Sequence, residues 1–300
     1  MARITYRHLG RDELLEASRL FQRSFNHLRR KNNRPTFDEK ITEVSPFFDH
    51  KYKTDRDGYW GAFENGRMIG FGHAIMRGKQ WYLANLFVAP GSQVKGVGNE
   101  LLKRCLRYGK DKADSYSLCT FSYNEVSLAL YSSFGIMPLY PIFVMYRKIN
   151  KNFRVRPTGL KVVEDNSNKS ILRINRLEKK IRGYSRLIDL RYYARSPHAK
   201  ILNFYKNSRW VGYSAVIRNS HIMPAGSPYP KYLPDILTES IRECIGAKPK
   251  EIEINVGANN AALFQRLKSH GFKISEMTVF LSTKPYSDLS RYAPASLAMY

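Results

Sequence analysis

The stretch VAPGSQVKGVGNELLKRC, which runs from Val88 to Cys105, places flexible residues where a helical pattern begins. Gly96 and Gly98 stand at this point, although a glycine inside a helix costs about 1 kcal/mol relative to alanine. The first N–H groups of a helix have no intrahelical partners, and the helix dipole adds partial positive charge there. A phosphate or pyrophosphate satisfies both, provided that no side chain blocks its approach. The pattern therefore predicts a phosphate-binding loop, to which Lys95 adds a mobile positive charge.

The loop matches neither of two common nucleotide-binding motifs. A Rossmann loop needs GxGxxG after a first strand, a Walker loop needs GxxxxGK[ST], and the sequence has neither. The three cysteines, Cys105, Cys119 and Cys244, are scattered, and no Cys/His cluster has the spacing of zinc ligands. We therefore expect no metal site and a reduced intracellular compartment.

The elements that must position the loop follow a mixed α/β order. Residues 3–9 predict a strand and residues 11–26 a helix, and a hairpin follows around the turn dipeptide Asn65-Gly66. The strand QWYLANLFVAP leads into the glycine loop and its helix. The strand SLCTFS, a helix from near Asn124 and one or two strands in MPLYPIFVMYRKI complete the segment. The first half is therefore predicted to be a mixed sheet with helices on its faces.

Residues 150–170 predict a linker with one short strand, after which a similar order begins again. Helical residues 171–195, a hairpin at 199–218 and a Pro-rich loop at 224–234 come first. A helix, the strand EIEINVG, a second helix and the strand SEMTVFLS follow.

One spacing relates the two halves. The same intervals of seven and eleven residues separate Asn124, Tyr131 and Gly135 in the first half and Asn260, Leu267 and Gly271 in the second. We predict an internal repeat of about 140 residues, and hence two domains at residues 1–150 and 151–300. The alternative is a pair of unrelated helices that both end in glycine, as many helices do.

Two motifs of the first half together resemble the GCN5-related N-acetyltransferase (GNAT) superfamily. The residues from Gln93 to Gly98, after a strand that ends in VAP, are similar to the family's acetyl-coenzyme A loop, (Q/R)xxGx(G/A). The segment NEVSLALYSSFGI is similar to the next motif, NxxAxxLYxxxGF, with Ser127 for the usual alanine and Ile136 for the usual phenylalanine. The resemblance implies an α/β fold of two acetyltransferase-type domains, each a mixed, mostly antiparallel sheet flanked by helices.

The resemblance also implies a function, a co-substrate and a set of site residues. The protein would move an acetyl group from acetyl-CoA to a primary amine of a small molecule, protein or peptide, by direct attack of the amine on the thioester. Tyr131 would protonate the leaving thiolate, and Asn124 would contact the pantetheine arm. The backbone of Leu86, Phe87 and Val88 would bind pantetheine and the thioester. The loop would hold the pyrophosphate through Gln93, Val94, Lys95, Gly96, Val97, Gly98 and Asn99.

The sequence departs from the family at the position of its usual base. Many members carry a glutamate in the strand before the loop, where this chain has Ala84 and Asn85. Asn85 is a candidate catalytic residue that can hold a water but cannot take up a proton. The sequence leaves open whether Glu64 or His73 accepts the amine proton or whether the amine binds already deprotonated.

The second half departs further from the family. Residues 210–245 contain no QxxGxG loop, and Leu267 takes the place that Tyr131 has in the first half. The second half therefore resembles the degenerate partner of tandem acetyltransferases, which covers the active half or shapes its acceptor cleft.

The charge of the chain leaves a rival function open. The formal net charge is +25, which attracts polyanions such as RNA, although a generally basic cytosol is an equal explanation. Basic residues of the segment 171–195 form either a phosphate-docking face or a solvated amphipathic helix: Arg173, Arg176, Lys179, Lys180, Arg182 and Arg186. The alternative function is a catalytically silent basic module that recruits RNA or a ribosomal partner.

The sequence is charged from residue 3 on, and no apolar run approaches the roughly 18 residues of a membrane span. We expect no secretory signal, no membrane span and a cytoplasmic location.

Overall fold

The computed structural model describes residues 3–37 and 39–299, with the side chains of Val94 and Lys95 outside the described part. The chain forms two compact units. The first comprises the chain up to Leu118 together with Tyr123–Ile136. The second comprises Cys119–Ser122 together with the chain from Met137 onward.

The first unit has a β-α-α-β-β-β-α-β-α order, which contains the predicted elements from residue 3 to the helix at Asn124, whereas the strand predicted after that helix belongs to the second unit. Its elements are β1 (Ile4–His8), α1 (Leu14–Lys31), α2 (Pro46–Thr54), β2 (Tyr59–Glu64), β3 (Arg67–Arg77), β4 (Gln80–Val88), α3 (Val97–Gly109), β5 (Ser115–Phe121) and α4 (Glu125–Ser132). The strands follow the order β1-β2-β3-β4-β5. Neighbouring strands are antiparallel, except that β4 and β5 are parallel.

The β2–β3 hairpin turns at Asn65-Gly66, as the sequence predicts. Both residues have positive φ, 51° and 76°, which asparagine and glycine adopt at the least cost. Along β3, a Cβ on Gly72 would face Cys105 of α3, whereas Phe71 packs in the cluster that α1 and α2 cover. Helices therefore lie on both faces of this sheet.

Strands β4 and β5 pair over only part of their length. The parallel pairing joins Gln80 to Leu83 of β4 with Ser115 to Leu118 of β5. Strand β4 continues to pair with β3 as far as Val88. The last residues of β4 therefore have a strand neighbour on one side only, which leaves an opening on the other side.

The second unit is also a mixed, mostly antiparallel sheet with helices. Its elements are β6 (Met137–Lys148), β7 (Lys161–Glu164), α5 (Asn168–Ile181), α6 (Leu187–Arg195), β8 (Ala199–Lys206), β9 (Arg209–Ile217), β10 (His221–Gly226), α7 (Leu233–Gly246), β11 (Glu251–Gly257), α8 (Ala261–Ser269), β12 (Lys273–Ser282) and β13 (Tyr292–Ala293). The sheet order is β7-β8-β9-β10-β11-β6-β12, with β13 paired to β10. Strands β10 and β11 are parallel.

Helices α4 and α8 give the predicted repeat a physical basis. Asn124 and Asn260 are their N-caps, with φ and ψ of −97° and 68° and of −99° and 74°. Gly135 and Gly271 follow the two helices with φ of 75° and 74°. The interval of eleven residues is thus the length of one helix with an asparagine cap and a left-handed glycine terminator.

Two predicted boundaries differ from the structure. The Pro-rich loop predicted at 224–234 begins as β10, because Pro224 lies where the register with β9 shifts between Ile222 and Ala225, and a bulge tolerates a proline. The helical residues 171–195 form two helices, with Gly183 between them at a φ of 91°. Within the described part of the chain, none of the helices combines the length and the apolar character that a membrane span requires.

Candidate active site

A cleft of about 410 Å³ lies in the first unit, beside the end of β4. Its walls come from α1, β4, the glycine loop and the start of α4. The cleft-lining residues that the sequence predicted are Leu86, Phe87, Val88, Gln93, Gly96, Gly98, Asn99 and Asn124. The fold thus brings the strand, the loop and the asparagine of the second motif to one place.

The backbone at the end of β4 presents polar groups to this cleft. The N–H of Ala89, which directly follows β4, donates to the carbonyl of Ile69 in β3, at 2.8 Å. Because antiparallel hydrogen bonds alternate, the N–H and C=O groups of Leu86 and Val88 point away from β3. The Val88 carbonyl accepts a bond from Ser24 Oγ at 3.0 Å, which agrees with this direction. The backbone groups of Leu86 therefore face the opening.

Helix α3 begins with bare backbone at the cleft. Gly96 is its N-cap with a φ of 71°, and no side chain caps the helix, so the first three N–H groups of α3 have no intrahelical partner. A Cβ on Gly98 would lie 3.7 Å from Val88 Cγ2 and 3.8 Å from Leu130 Cδ2. The two glycines therefore serve different purposes. Gly96 permits the left-handed turn, and Gly98 keeps the space between β4 and α4 open.

Asn124 presents an amide nitrogen at the α4 wall. Its Oδ1 accepts a bond from the N–H of Ser127 at 3.4 Å, as an N-cap does. Its Nδ2 has no hydrogen-bond partner among the described residues, and the side chain lines the cleft. The cap thus holds the asparagine in place and leaves the donor available.

One wall of the cleft comes from α1, which the sequence analysis did not connect with the site. The residues concerned are Ser24, His27, Leu28 and Lys31 of α1 and its C-cap Asn32. Ser24, His27 and Lys31 recur at helical spacing and place polar groups on one face of α1. That polar stripe is the sequence signal that could have identified this wall.

Tyr131 is buried beside the cleft and does not line it. Its side chain is 5% exposed. Burial raises the pKa of its hydroxyl, and a hydrogen bond with the side chain of Ser127 lowers it by less. Ser127 itself lines the cleft. The hydroxyl of Tyr131 is therefore protonated at neutral pH.

A buried lysine holds Asn85, the residue at the position of the usual base. Asn85 Oδ1 accepts a hydrogen bond from Lys51 Nζ at 3.2 Å. Lys51 belongs to α2 and is 1% exposed, with Nζ 5.0 Å from the ring centroid of Phe47 and 5.3 Å from that of Phe48. Asn85 is not among the cleft-lining residues. Nothing in the local sequence around either residue indicates this pairing.

The two side chains considered as bases also lie away from the cleft. His73 is fully buried and stacks on Tyr59 with 3.4 Å between ring centroids. Burial, and then the charges of Lys51 and Arg77, lower the pKa of His73 well below its ordinary value. This neutral, enclosed imidazole cannot take a proton from an incoming amine. Glu64 ends β2 beside the hairpin turn and does not line the cleft either.

The remaining loop residues contribute through the backbone. Val97 is fully buried in a cluster with Ile69 and Leu101, so only its N–H can meet a ligand. Val94 and Lys95 end the 3₁₀ turn Pro90–Lys95, and the positive charge predicted at Lys95 lies outside the described residues. No group of three His, Cys, Asp or Glu side chains within the described part of the chain could hold a metal ion.

Two arginines of the segment 171–195 are engaged inside the second unit. Arg173 donates to Asn203 Oδ1 at 2.8 Å and lies over the ring of Trp210. Arg186 forms an ion pair with Glu178 at 2.5 Å, and both side chains are fully buried. For these arginines the structure favours the structural interpretation over a phosphate-docking face.

Comparison with known proteins adds to this geometry. Residues 20–136 match the model of the acetyltransferase (GNAT) family. This part of the chain belongs to the GNAT family. All the residues that line the cleft lie inside the matched segment, so the cleft belongs to the GNAT domain. A comparison with curated protein sequences gives no match.

The fold of the whole chain is similar to that of solved acetyltransferase structures. A Pyrococcus horikoshii protein assigned as an acetyltransferase has 21% identity and a TM-score of 0.78, over 99% of this chain and 96% of that one. A GCN5-related N-acetyltransferase from Sphaerobacter thermophilus has 15% identity and a TM-score of 0.70, over 96% and 98%. A tandem GNAT protein from the clavulanic acid biosynthesis pathway has 12% identity and a TM-score of 0.62, over 95% and 100%. The chain therefore has the fold of two GNAT-type domains.

Proposed function

We propose that the GNAT domain binds acetyl-CoA in its cleft and transfers the acetyl group to a primary amine by direct attack on the thioester. One observation carries the proposal: unpaired polar groups from three elements converge on the cleft. They are the first N–H groups of α3, the backbone of Leu86 and Nδ2 of Asn124. This set fits a ligand with a pyrophosphate at one end and an arm that contains amides.

Each group has a separate task in binding. The N–H groups and the dipole of α3 stabilise the negative charge of the pyrophosphate, which Gly98 allows to approach. The backbone of Leu86 pairs with the amides of the pantetheine arm, in the way that an added strand pairs with a sheet edge. Asn124 Nδ2 donates to a carbonyl of the same arm. These contacts orient the thioester, which supplies the activated acetyl group.

The leaving thiolate needs a proton, and Tyr131 is the residue that provides it. Because burial raises the pKa of its hydroxyl, the proton is present at neutral pH. Ser127 bonds to this hydroxyl and lines the cleft, so it relays the proton or moves aside for the sulfur. General acid catalysis of this kind contributes about 10²-fold or more to the rate.

The amine proton goes to His27. Four ionisable side chains line the cleft among the described residues: His27, Lys31, Tyr123 and Glu125. An imidazole accepts and releases protons more readily near neutral pH than the other three groups. His27 is half-buried and lies one turn after Ser24, which is bonded to Val88 of β4. The usual carboxylate of β4 is replaced by a base on α1 in this proposal.

Calorimetric titration with coenzyme A tests the binding step. We expect saturable binding of one equivalent per chain, and faster release of free thiol from acetyl-CoA when primary amines are added. Absence of saturable binding at millimolar coenzyme A would contradict the proposed function. Two equivalent sites would contradict the restriction of the function to the first domain.

A further inference from the structure

The arrangement of strands and helix around the cleft of the GNAT domain recurs in the second unit. Strands β10 and β11 are parallel and pair only at His221 with Glu253 and at Ile222 with Ile254. Strand β10 then continues to Gly226 without β11, just as β4 continues beyond its pairing with β5. Helix α8 follows β11 with the same capped start as α4. A groove of the same origin is therefore expected between these diverging strands.

The carboxyl-terminal segment of the chain lies in this groove. Strand β13 pairs with β10 in antiparallel fashion, with Ala293 opposite Ala225 and Tyr292 opposite Gly226. The N–H of Ser227 donates to the carbonyl of Arg291 at 2.9 Å, which extends the same ladder. The backbone N–H and C=O groups of β10 that β11 no longer pairs are thus hydrogen-bonded to a later segment of the same chain.

Side chains of the groove bind the same segment through its backbone. Asn260 Nδ2 donates to the carbonyl of Leu289 at 2.7 Å and to that of Ser290 at 3.4 Å. Asn255 Nδ2 donates to the carbonyl of Ala295. Asn260 corresponds to Asn124, whose Nδ2 is available in the first unit. The two asparagines share one backbone geometry and differ in what their amide nitrogens bind.

The segment is buried and anchored at its far end. Residues with at most 2% exposure are Leu289, Tyr292, Ala293, Ala295 and Met299. Arg186 donates to Tyr292 Oη at 2.6 Å and to the carbonyl of Met299 at 3.3 Å, while its ion pair with Glu178 fixes the guanidinium. The segment is therefore part of the folded unit and not a loosely attached tail.

We propose that residues 289–299 are the built-in occupant of the second unit's cofactor-type groove and prevent that unit from binding coenzyme A. The comparison with a pantetheine arm rests on the proposed function of the first unit. The segment supplies what such an arm would supply: an extended backbone for β10 and carbonyl oxygens for Asn260. The second unit also lacks the glycine loop and has Leu267 in the place of Tyr131, which is consistent with a groove that does not bind a cofactor.

Matched aspartate substitutions at the two asparagines test this proposal. Both Asn124→Asp and Asn260→Asp keep the oxygen that caps the helix, because aspartate caps as well as asparagine. Each replaces the donor nitrogen with an oxygen. In Asn260→Asp this oxygen faces the carbonyls of Leu289 and Ser290. We expect amide hydrogen exchange of residues 288–295 to become about tenfold faster or more in this variant, without a change in coenzyme A affinity.

The companion variant should show the opposite result. Asn124→Asp should weaken coenzyme A binding and leave exchange in residues 288–295 unchanged. If Asn260→Asp does not fold, Asn260→Ser retains a good cap and removes the donor without repulsion. Unchanged exchange of the segment in a folded Asn260 variant, or binding of a second coenzyme A by the wild type, would overturn the proposal. The exchange measurement does not involve coenzyme A, so it tests the proposal for the second unit even if the first unit binds no coenzyme A.

Discussion

Substitution of Gly98 tests the assignment of the cleft. A Cβ at this position would be in ordinary contact with Val88 and Leu130, at 3.7 and 3.8 Å, so substitutions of Gly98 should not prevent folding. The carboxylate of Gly98→Asp extends further, into the space assigned to the pyrophosphate. Two unit charges about 4 Å apart repel by about 4 kcal/mol at an effective dielectric constant of about 20. Coenzyme A affinity should therefore fall by about 10³-fold.

A matched control separates binding from folding. Gly91→Asp adds the same charge in the same loop, at an exposed position where a Cβ meets nothing within 4 Å and which does not line the cleft. An aspartate in the first turn of α3 also stabilises the helix slightly, so the thermal midpoint of Gly98→Asp should not fall. Calorimetry measures the affinities. Equal affinity in the two aspartate variants would refute the placement of the pyrophosphate at α3.

Three further substitutions make separate predictions. Tyr131→Phe should lower turnover by about 10²-fold where chemistry limits the rate, and less for a thioester whose thiol is more acidic; unchanged turnover would remove Tyr131 from the mechanism. His27→Gln should lower turnover most at pH values where the amine substrate is protonated in solution. A loss of turnover that does not depend on pH would indicate that His27 only positions the substrate. Burial raises the pKa of Glu253 to about 7, so the folded state retains a proton that the unfolded state loses, and stability falls as pH rises from 4.5 to 7. Glu253→Gln should therefore raise the free energy of unfolding at pH 8, by up to about 3 kcal/mol, and not at pH 4, as chemical denaturation can measure; equal effects at both pH values would contradict this origin.

The fold of the first unit follows from local signals. The turn at Asn65-Gly66, the strand before the glycine loop and the capped helix at Asn124 each depend on residues close in sequence. Strand β10 was missed because Pro224 is a loop signal that a bulge overrides. The domain boundary at residue 150 stays a prediction, and the pairing of β6 with β11 and β12 in the second unit is a long-range contact that no local pattern encodes.

As with the fold, local sequence motifs predict one part of the candidate site and do not predict the rest. The loop and Asn124 are identified by motifs, whereas the α1 wall and the bond from Lys51 to Asn85 join residues far apart in sequence. Burial excludes His73 as the catalytic base, and the sequence alone does not show that the sheet encloses this histidine. The carboxyl-terminal segment gave no strand signal because its two-residue strand exists only through its pairing with β10.

The most direct measurement is mass spectrometry of a panel of primary amines and peptides after incubation with acetyl-CoA labelled in the acetyl group. We expect wild-type protein and Gly91→Asp to transfer the label to nitrogen of at least one class of amine, and Gly98→Asp to transfer almost none. Transfer of equal extent by Gly98→Asp, or binding of acetyl-CoA without transfer to any amine, would contradict the proposed function.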